Sequence, residues 1–156
     1  MAQVKLDTLH LVDMEFTCVE DPIWTRDFGE LLEIAIIPID LKYLEIRYDL
    51  IYDSLVKPVN TEVTPYCTDL TGITNEMVKR DGKPAGEVMQ TIEKRFGHVS
   101  AWGSWGDSDL KVLLRTCEAL GINPPLGKHL NLKYEYSLFR GRRREIGFKK
   151  ALAAEG

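Results

Sequence analysis

Leu9-His10-Leu11-Val12-Asp13-Met14-Glu15 anchors the interpretation of the whole chain. It reads as a buried strand that ends in two carboxylates. Alternate side chains of a strand point to one face. Asp13 and Glu15 therefore project together, on the side also used by Leu9 and Leu11. Unpaired buried charge is costly, and a divalent cation would offset that cost. Carboxylate oxygens are the preferred ligands of magnesium and manganese. The same residues also fit a pair of solvated acids at a strand end, and this stretch alone leaves both readings open.

The chain has 156 residues, enough for one domain with a sizeable core. With 44% hydrophobic and 28% charged residues it has the composition of an ordinary globular protein. No apolar run is long enough to span a membrane, and no signal-peptide pattern opens the sequence. Cys18, Cys67 and Cys117 are odd in number and lack metal-ligand spacing, so reduced thiols of a cytoplasmic protein are expected. A net charge of −4 argues against a basic, non-specific nucleic-acid binder. The charge is uneven, however. Between Arg140 and Lys150 six basic residues face one acid, a net +5 that leaves −9 on the remainder. Such a cluster is either a place where a polyanion is held or a solvated charge run.

Outward from the opening stretch, 16–28 has no clear period and reads as a loop. Glu30 to Asp40 is strongly apolar and fits a central strand. Leu44 to Val56 alternates like a strand with one wet face, and the short link between the two predicts a hairpin. The first three strands therefore read as a meander. Pro58 ends the third. Thr64-Pro65 opens a short helical turn, and Thr74 caps a helix through Val78. Asp81 to Pro84 reads as a linker. Ala85, Val88, Met89, Ile92 and Phe96 recur at helical spacing. His98 to Ser104 reads as a fourth strand. A helix with the stripe Leu110, Leu113, Leu114, Cys117 and Leu120 follows, stopped by Gly121. His129 to Leu132 is a short fifth strand, and helices are expected over 134–139 and 146–155. The fold class is α/β: a mixed five-stranded sheet, three antiparallel strands plus two parallel ones, flanked by helices.

Asp109 stands in the first turn of the helix after the fourth strand. An acid there suits the helix dipole, although Asp107 is nearer the cap. Parallel strands bring their C-terminal ends together, where ligands collect. Asp109 would then face Asp13 and Glu15.

The ordered motifs resemble one family. Val12-Asp13-Met14-Glu15-Phe16-Thr17-Cys18 is similar to the first motif of the DEDDh 3′–5′ exonucleases, the superfamily of ribonuclease T and the DNA polymerase III epsilon exonuclease domain. Further stretches resemble its branch of ERI-like RNA exonucleases: Glu30 to Ile34, Val56-Lys57-Pro58 with Cys67 to Thr74, Trp105 to Leu113, and Asn131-Leu132-Lys133. The resemblance implies a ribonuclease H-like fold and hydrolysis of terminal phosphodiester bonds, RNA favoured, to nucleoside monophosphates. It implies Asp13, Glu15 and Asp109 as catalytic ligands of two Mg2+ or Mn2+ ions, with Asp107 the rival for the third place. It implies Met14, Phe16, Thr17 and Ile73 at the terminal nucleotide of a single-stranded 3′ end of RNA or DNA, with Ile73 against a base.

The family pattern also includes a histidine general base and, five residues on, a fourth acid. Residues 146–156 resemble the helix preceding that element. His10, His98 and His129 do not substitute for the base, and each reads as structural or solvated. The expectation is a single exonuclease-like domain over 1–156 that lacks the third motif and is impaired in hydrolysis. The alternative is an inactive relative that binds nucleic acid or a partner.

Overall fold

A computed structural model describes residues 7–156. In chain order the elements are β1 (Thr8–Phe16), α1 (Pro22–Phe28), β2 (Leu31–Asp40), β3 (Glu45–Ile46) and a 3-10 turn at Tyr48–Leu50. There follow β4 (Tyr52–Lys57), α2 (Pro65–Thr71), α3 (Asn75–Asp81), β5 (Lys83–Pro84), α4 (Ala85–Phe96) and β6 (Val99–Ser104). The chain closes with α5 (Ser108–Leu120), β7 (Leu126–Asn131), α6 (Leu132–Phe139) and α7 (Phe148–Glu155).

The sheet order is β5-β4-β2-β1-β6-β7, with β3 paired to β2. β1, β2 and β4 form the antiparallel meander, and β6 and β7 continue from β1 in parallel. The five expected strands are therefore present, and two strands of two residues each extend the sheet to seven. The fold is the mixed, helix-flanked sheet read from the sequence.

Three local expectations need correction. Residues 16–28 are not all loop, because Asp21 accepts from the Ile23 and Trp24 backbone N–H groups and Pro22 opens α1. The third strand is not continuous from Leu44. Asp40 closes a turn by accepting from the N–H groups of Lys42 and Tyr43, and Leu44 takes φ +56°. The chain then bends through the 3-10 turn before β4 begins. The fifth strand starts earlier than His129, because Leu126 is buried and pairs with Val99.

Alternation along β1 decides which face is dry. Val12 and Met14 are buried against Ile34, Ile36 and Tyr52, under Val88, Met89 and Ile92 of α4 and Val112 and Leu113 of α5. Each such side chain contributes roughly 1.5–3 kcal/mol by burial. A second cluster, Cys18, Leu32, Val63, Cys67, Ile73 and Val78, holds α2 and α3 to the sheet. All three cysteines are free and buried, and burial pushes Cys18 up to about 12 and Cys117 to about 11. Neither is a ready nucleophile. No helix among the described residues is long and apolar enough to cross a membrane.

Candidate active site

Asp13 and Glu15 occupy the face of β1 opposite Val12 and Met14. Asp13 lies across from Ala35, and Glu15 across from Glu33. Asp13 is exposed and Glu15 half-buried, so the expectation that this strand spends burial on both acids is corrected. The buried acid is Asp109, at 7% exposure.

Strand pairing explains how Asp109 arrives there. β6 pairs with β1 only at His10↔Trp102 and Leu11↔Gly103. It ends at Ser104, and the chain turns through Gly106 at φ +111°, a conformation glycine adopts without strain. The edge of β1 beyond Leu11 is left open on that side. Asp109, in the first turn of α5, fills the gap: its Oδ1 accepts the Met14 N–H at 2.9 Å. The bonded amide lies between Asp13 and Glu15 in the strand. Asp107 instead faces outward and accepts from the Asn131 side-chain amide at 3.0 Å. Asp109, not Asp107, joins the other two acids.

The acids repel one another. Desolvation by burial, and then the charges of Asp13, Glu33 and Asp109, push Glu15 up to about 7. Burial likewise raises Asp109, against the lowering effect of hydrogen bonds from the Met14 and Asp109 N–H groups and the Ser104 hydroxyl. Burial, Asp53 and Asp13 raise Glu33. Among the described residues no three His, Cys, Asp or Glu side chains are already grouped as a metal-ligand cluster, and one Asp109 oxygen is turned to Met14. The donor chemistry nevertheless fits a hard divalent cation: oxygen ligands from two elements, with mutual repulsion that a cation would relieve.

The histidines stand apart from the acids. His10 is on the Met14 face, edge-on to Phe96 at 5.2 Å. His98 is exposed at the far end of β6. The His129 ring lies 4.4 Å from that of Trp102, tilted by 54°, and its Nε2 is 2.9 Å from the Ser104 hydroxyl. The same hydroxyl donates to the Gly106 carbonyl at 3.1 Å, in the turn that leads into α5. Sequence reasoning missed Ser104, His129 and Glu33, since no local signal reports contacts between strands.

A cavity of about 330 Å³ opens between α1, α2 and α5, with Phe16, Tyr66, Leu70, Ser108 and Lys111 among its walls; Phe16 and Ser108 are the chain neighbours of Glu15 and Asp109, which do not line it. That is within the size range of small-ligand sites, roughly 300–1,000 Å³. Phe16 lines it. Met14, Thr17 and Ile73 are buried and are not among its walls. The Thr17 hydroxyl is engaged by Thr61 and the Glu30 N–H. Ile73 sits in the second core cluster at 3% exposure. The exposed apolar residue near that loop is Leu70.

Residues 11–103 match the RNase_T exonuclease family. The chain is 31% identical over 146 residues to ERI1 exoribonuclease 3 of Homo sapiens and of Bos taurus, covering 84% of this chain. It spans only 41% of the length of those relatives. Among solved structures it is similar to the nuclease domain of 3′hExo, a DEDDh family member, bound to rAMP. The TM-score is 0.74 at 25% identity, over 90% of this chain and 74% of that one. The cell-death related nuclease CRN-4 shares the fold, with a TM-score of 0.74 at 22% identity over 90% of this chain and 51% of that one. Exonuclease I of E. coli, solved with a dT13 oligonucleotide, shares it at a TM-score of 0.69 and 15% identity, over 91% of this chain and 32% of that one.

Proposed function

This chain belongs to the DEDDh, ERI-like branch of the exonuclease family, and on that premise we propose that it works on single-stranded 3′ ends, RNA favoured, as a metal-dependent 3′–5′ exonuclease. The observation that carries the reading is the Asp109–Met14 hydrogen bond, which seats a third carboxylate against the amide between Asp13 and Glu15. Asp13 and Glu15 would hold the metal directly, and Asp109 would complete the oxygen set. Bound there, divalent metal would activate water and stabilise charge on the phosphate oxygens. The neighbouring cavity, with Phe16 at one wall and Lys111 at another, suits a nucleoside monophosphate: an aromatic surface for a base and an ammonium for phosphate. Stacking of that kind tolerates any base, so weak sequence preference is expected. Met14 and Thr17 contribute backbone there, and Ile73 holds the α2–α3 loop in place from within the core.

Residues 1–156 place no histidine beside the acids. A general base contributes about 10²–10⁴-fold, so residues 1–156 by themselves are expected to be impaired in hydrolysis while retaining metal and nucleotide binding. The second reading, an exonuclease-like domain that binds without cutting, rests on the same observation. A cytoplasmic location is part of the proposal.

The test is calorimetric titration of residues 1–156 with Mn2+, then with adenosine 5′-monophosphate, alongside digestion of matched RNA and DNA oligonucleotides. Saturable Mn2+ binding that is lost in Asp13→Asn/Glu15→Gln supports the reading. Unchanged binding in that variant, or none in the parent, overturns it. Fast hydrolysis by residues 1–156, abolished by Asp13→Asn, would refute the impairment.

A further inference from the structure

The basic run of the C-terminal part is a pinned arch, and among the described residues no acid pairs with the three arginines at its crest, Arg142, Arg143 and Arg144. Its two ends are pinned. The Arg142 N–H donates to the Ser137 carbonyl at 2.8 Å, and the Trp105 indole N–H donates to the Ile146 carbonyl at 3.1 Å. The Trp105 ring lies 5.5 Å from Tyr136 on α6 and 5.3 Å from Phe148 on α7. The nearby acids are already taken. Glu145 pairs with Lys133 at 3.5 Å, and Glu155 pairs with Arg140 and accepts from the Tyr136 hydroxyl. Arg142, Arg143 and Arg144 form the exposed crest between these pins. Among the described residues no ion pair engages them or Lys149 and Lys150.

Three like charges in a row on a chain of net −4 repel one another, and a solvated surface run on such a chain usually has acids interspersed. Here the loop is ordered by an indole and two hydrogen-bonded ends, so repulsion is retained where it could have relaxed. A ligand that matches it carries regularly spaced negative charge. Guanidinium forks bind phosphate oxygens in bidentate pairs. Phe139, 81% exposed, stands at the foot of the crest and offers a face for stacking. Placement decides the rest: Trp105, which pins the arch, belongs to the same β6–α5 connection that carries Asp109.

We propose that the arch from Arg140 to Lys150 is a backbone track for single-stranded nucleic acid, gripping phosphates upstream of the 3′-terminal nucleotide held at the acids. The inference rests on the proposed exonuclease reading for the position of that terminal nucleotide. It adds a second subsite that needs no metal.

The test uses residues 1–156 in EDTA and a fluorescent single-stranded oligonucleotide of about ten nucleotides, within the usual site size. Anisotropy is followed against salt. Changing Arg142, Arg143 and Arg144 together to Gln is expected to weaken binding at least tenfold. The slope of log K against log salt should become shallower by about two, since each phosphate contact contributes about 0.7 on single strands. Melting of the variant should match the parent, because the crest packs on nothing. Equal loss on changing Lys42, Lys79 and Lys94 to Gln, an unchanged slope in the arginine variant, or no binding by the parent would each overturn the track. Binding of adenosine 5′-monophosphate with Mn2+ separates the two readings. If it is absent while the arginine-dependent binding persists, the acid site fails and the arch stands. If it survives in the arginine variant while oligonucleotide binding falls, both stand.

Discussion

Asp109 and Met14, 95 residues apart in the chain, meet through a carboxylate–amide hydrogen bond of 2.9 Å at the point where β6 parts from β1. The bond is buried, so deleting the acceptor leaves an amide with no partner. Asp109→Ala is expected to cost about 1–3 kcal/mol. Asp109→Asn keeps an oxygen for Met14 and removes a charge that burial disfavours, so its stability should stay near the parent's. Both variants should lose Mn2+-induced stabilisation. Urea unfolding with and without Mn2+ separates the structural contribution from the electrostatic one.

Glu15 gives a pH dependence of unusual sign. Its folded-state value is pushed up to about 7 by burial and then by Asp13, Glu33 and Asp109, while the unfolded chain holds it near 4.3. The folded form therefore binds a proton more tightly than the unfolded one. Its contribution to stability is present below about 4.3 and is lost as pH rises toward about 7. In EDTA, unfolding midpoints should fall across that window, and Glu15→Gln should flatten the decline. A decline as steep in the variant as in the parent would assign it to other groups. Saturating Mn2+ should flatten it in the parent, because a cation favours the ionised form.

Glu30 has the opposite sign. Burial pushes its carboxyl up, but the Thr61 hydroxyl and the N–H groups of Val59, Asn60 and Thr61 outweigh this and hold it below the ordinary range. The carboxylate is 2.6 Å from the Thr61 N, 2.8 Å from the Asn60 N and 3.0 Å from the Val59 N. It clamps the turn after β4 to the start of β2. The contribution is present above about 4.3 and is lost as pH falls through the lower folded value. Glu30→Ala should cost about 1–2 kcal/mol at neutral pH and much less in acid. Hydrogen exchange at Val59 to Thr61 should quicken in the variant; unaltered exchange there would rule out the clamp.

The sequence carried the architecture because its signals are local. Alternation in β1 and β2, helical spacing from Ala85 to Phe96, and the glycine stop at Gly121, which sits at φ +65°, each need only neighbouring residues. The acid site was half legible for the same reason. Asp13 and Glu15 share a face by strand geometry alone, whereas the choice of Asp109 over Asp107 depends on which strand edge is left open 95 residues away. Burial was assigned to the wrong acids, because no sequence pattern says that β6 leaves β1 early. That Ile73 lies inside a core cluster was not legible either, because the cluster is assembled from Leu32 of β2, Cys67 of α2, Val78 of α3 and the loop residues Cys18 and Val63. The Ser104–His129 contact left no trace, because parallel pairing of β6 and β7 is what sets the two side by side.

Trp105 is where the fold and the basic arch depend on one side chain. Its indole N–H holds the Ile146 carbonyl, and its ring lies between Tyr136 and Phe148. Truncation removes a donor and an aromatic contact on each side. Trp105→Ala is expected to cost about 2–3 kcal/mol, below the 3–5 of a fully buried aromatic because the ring is only half-buried. Trp105→Phe keeps the ring contacts and loses only the hydrogen bond, a cost of about 1 kcal/mol. The damage should be local. Trypsin attacks arginines in mobile loops, so cleavage at Arg142, Arg143 and Arg144 should accelerate far more in the alanine variant than the change in global unfolding explains. Proteolysis rates that merely track global stability would mean that the crest is mobile already and that Trp105 does not order it. In the phenylalanine variant cleavage should remain close to the parent's rate, because two ring contacts still seat α7 against α6.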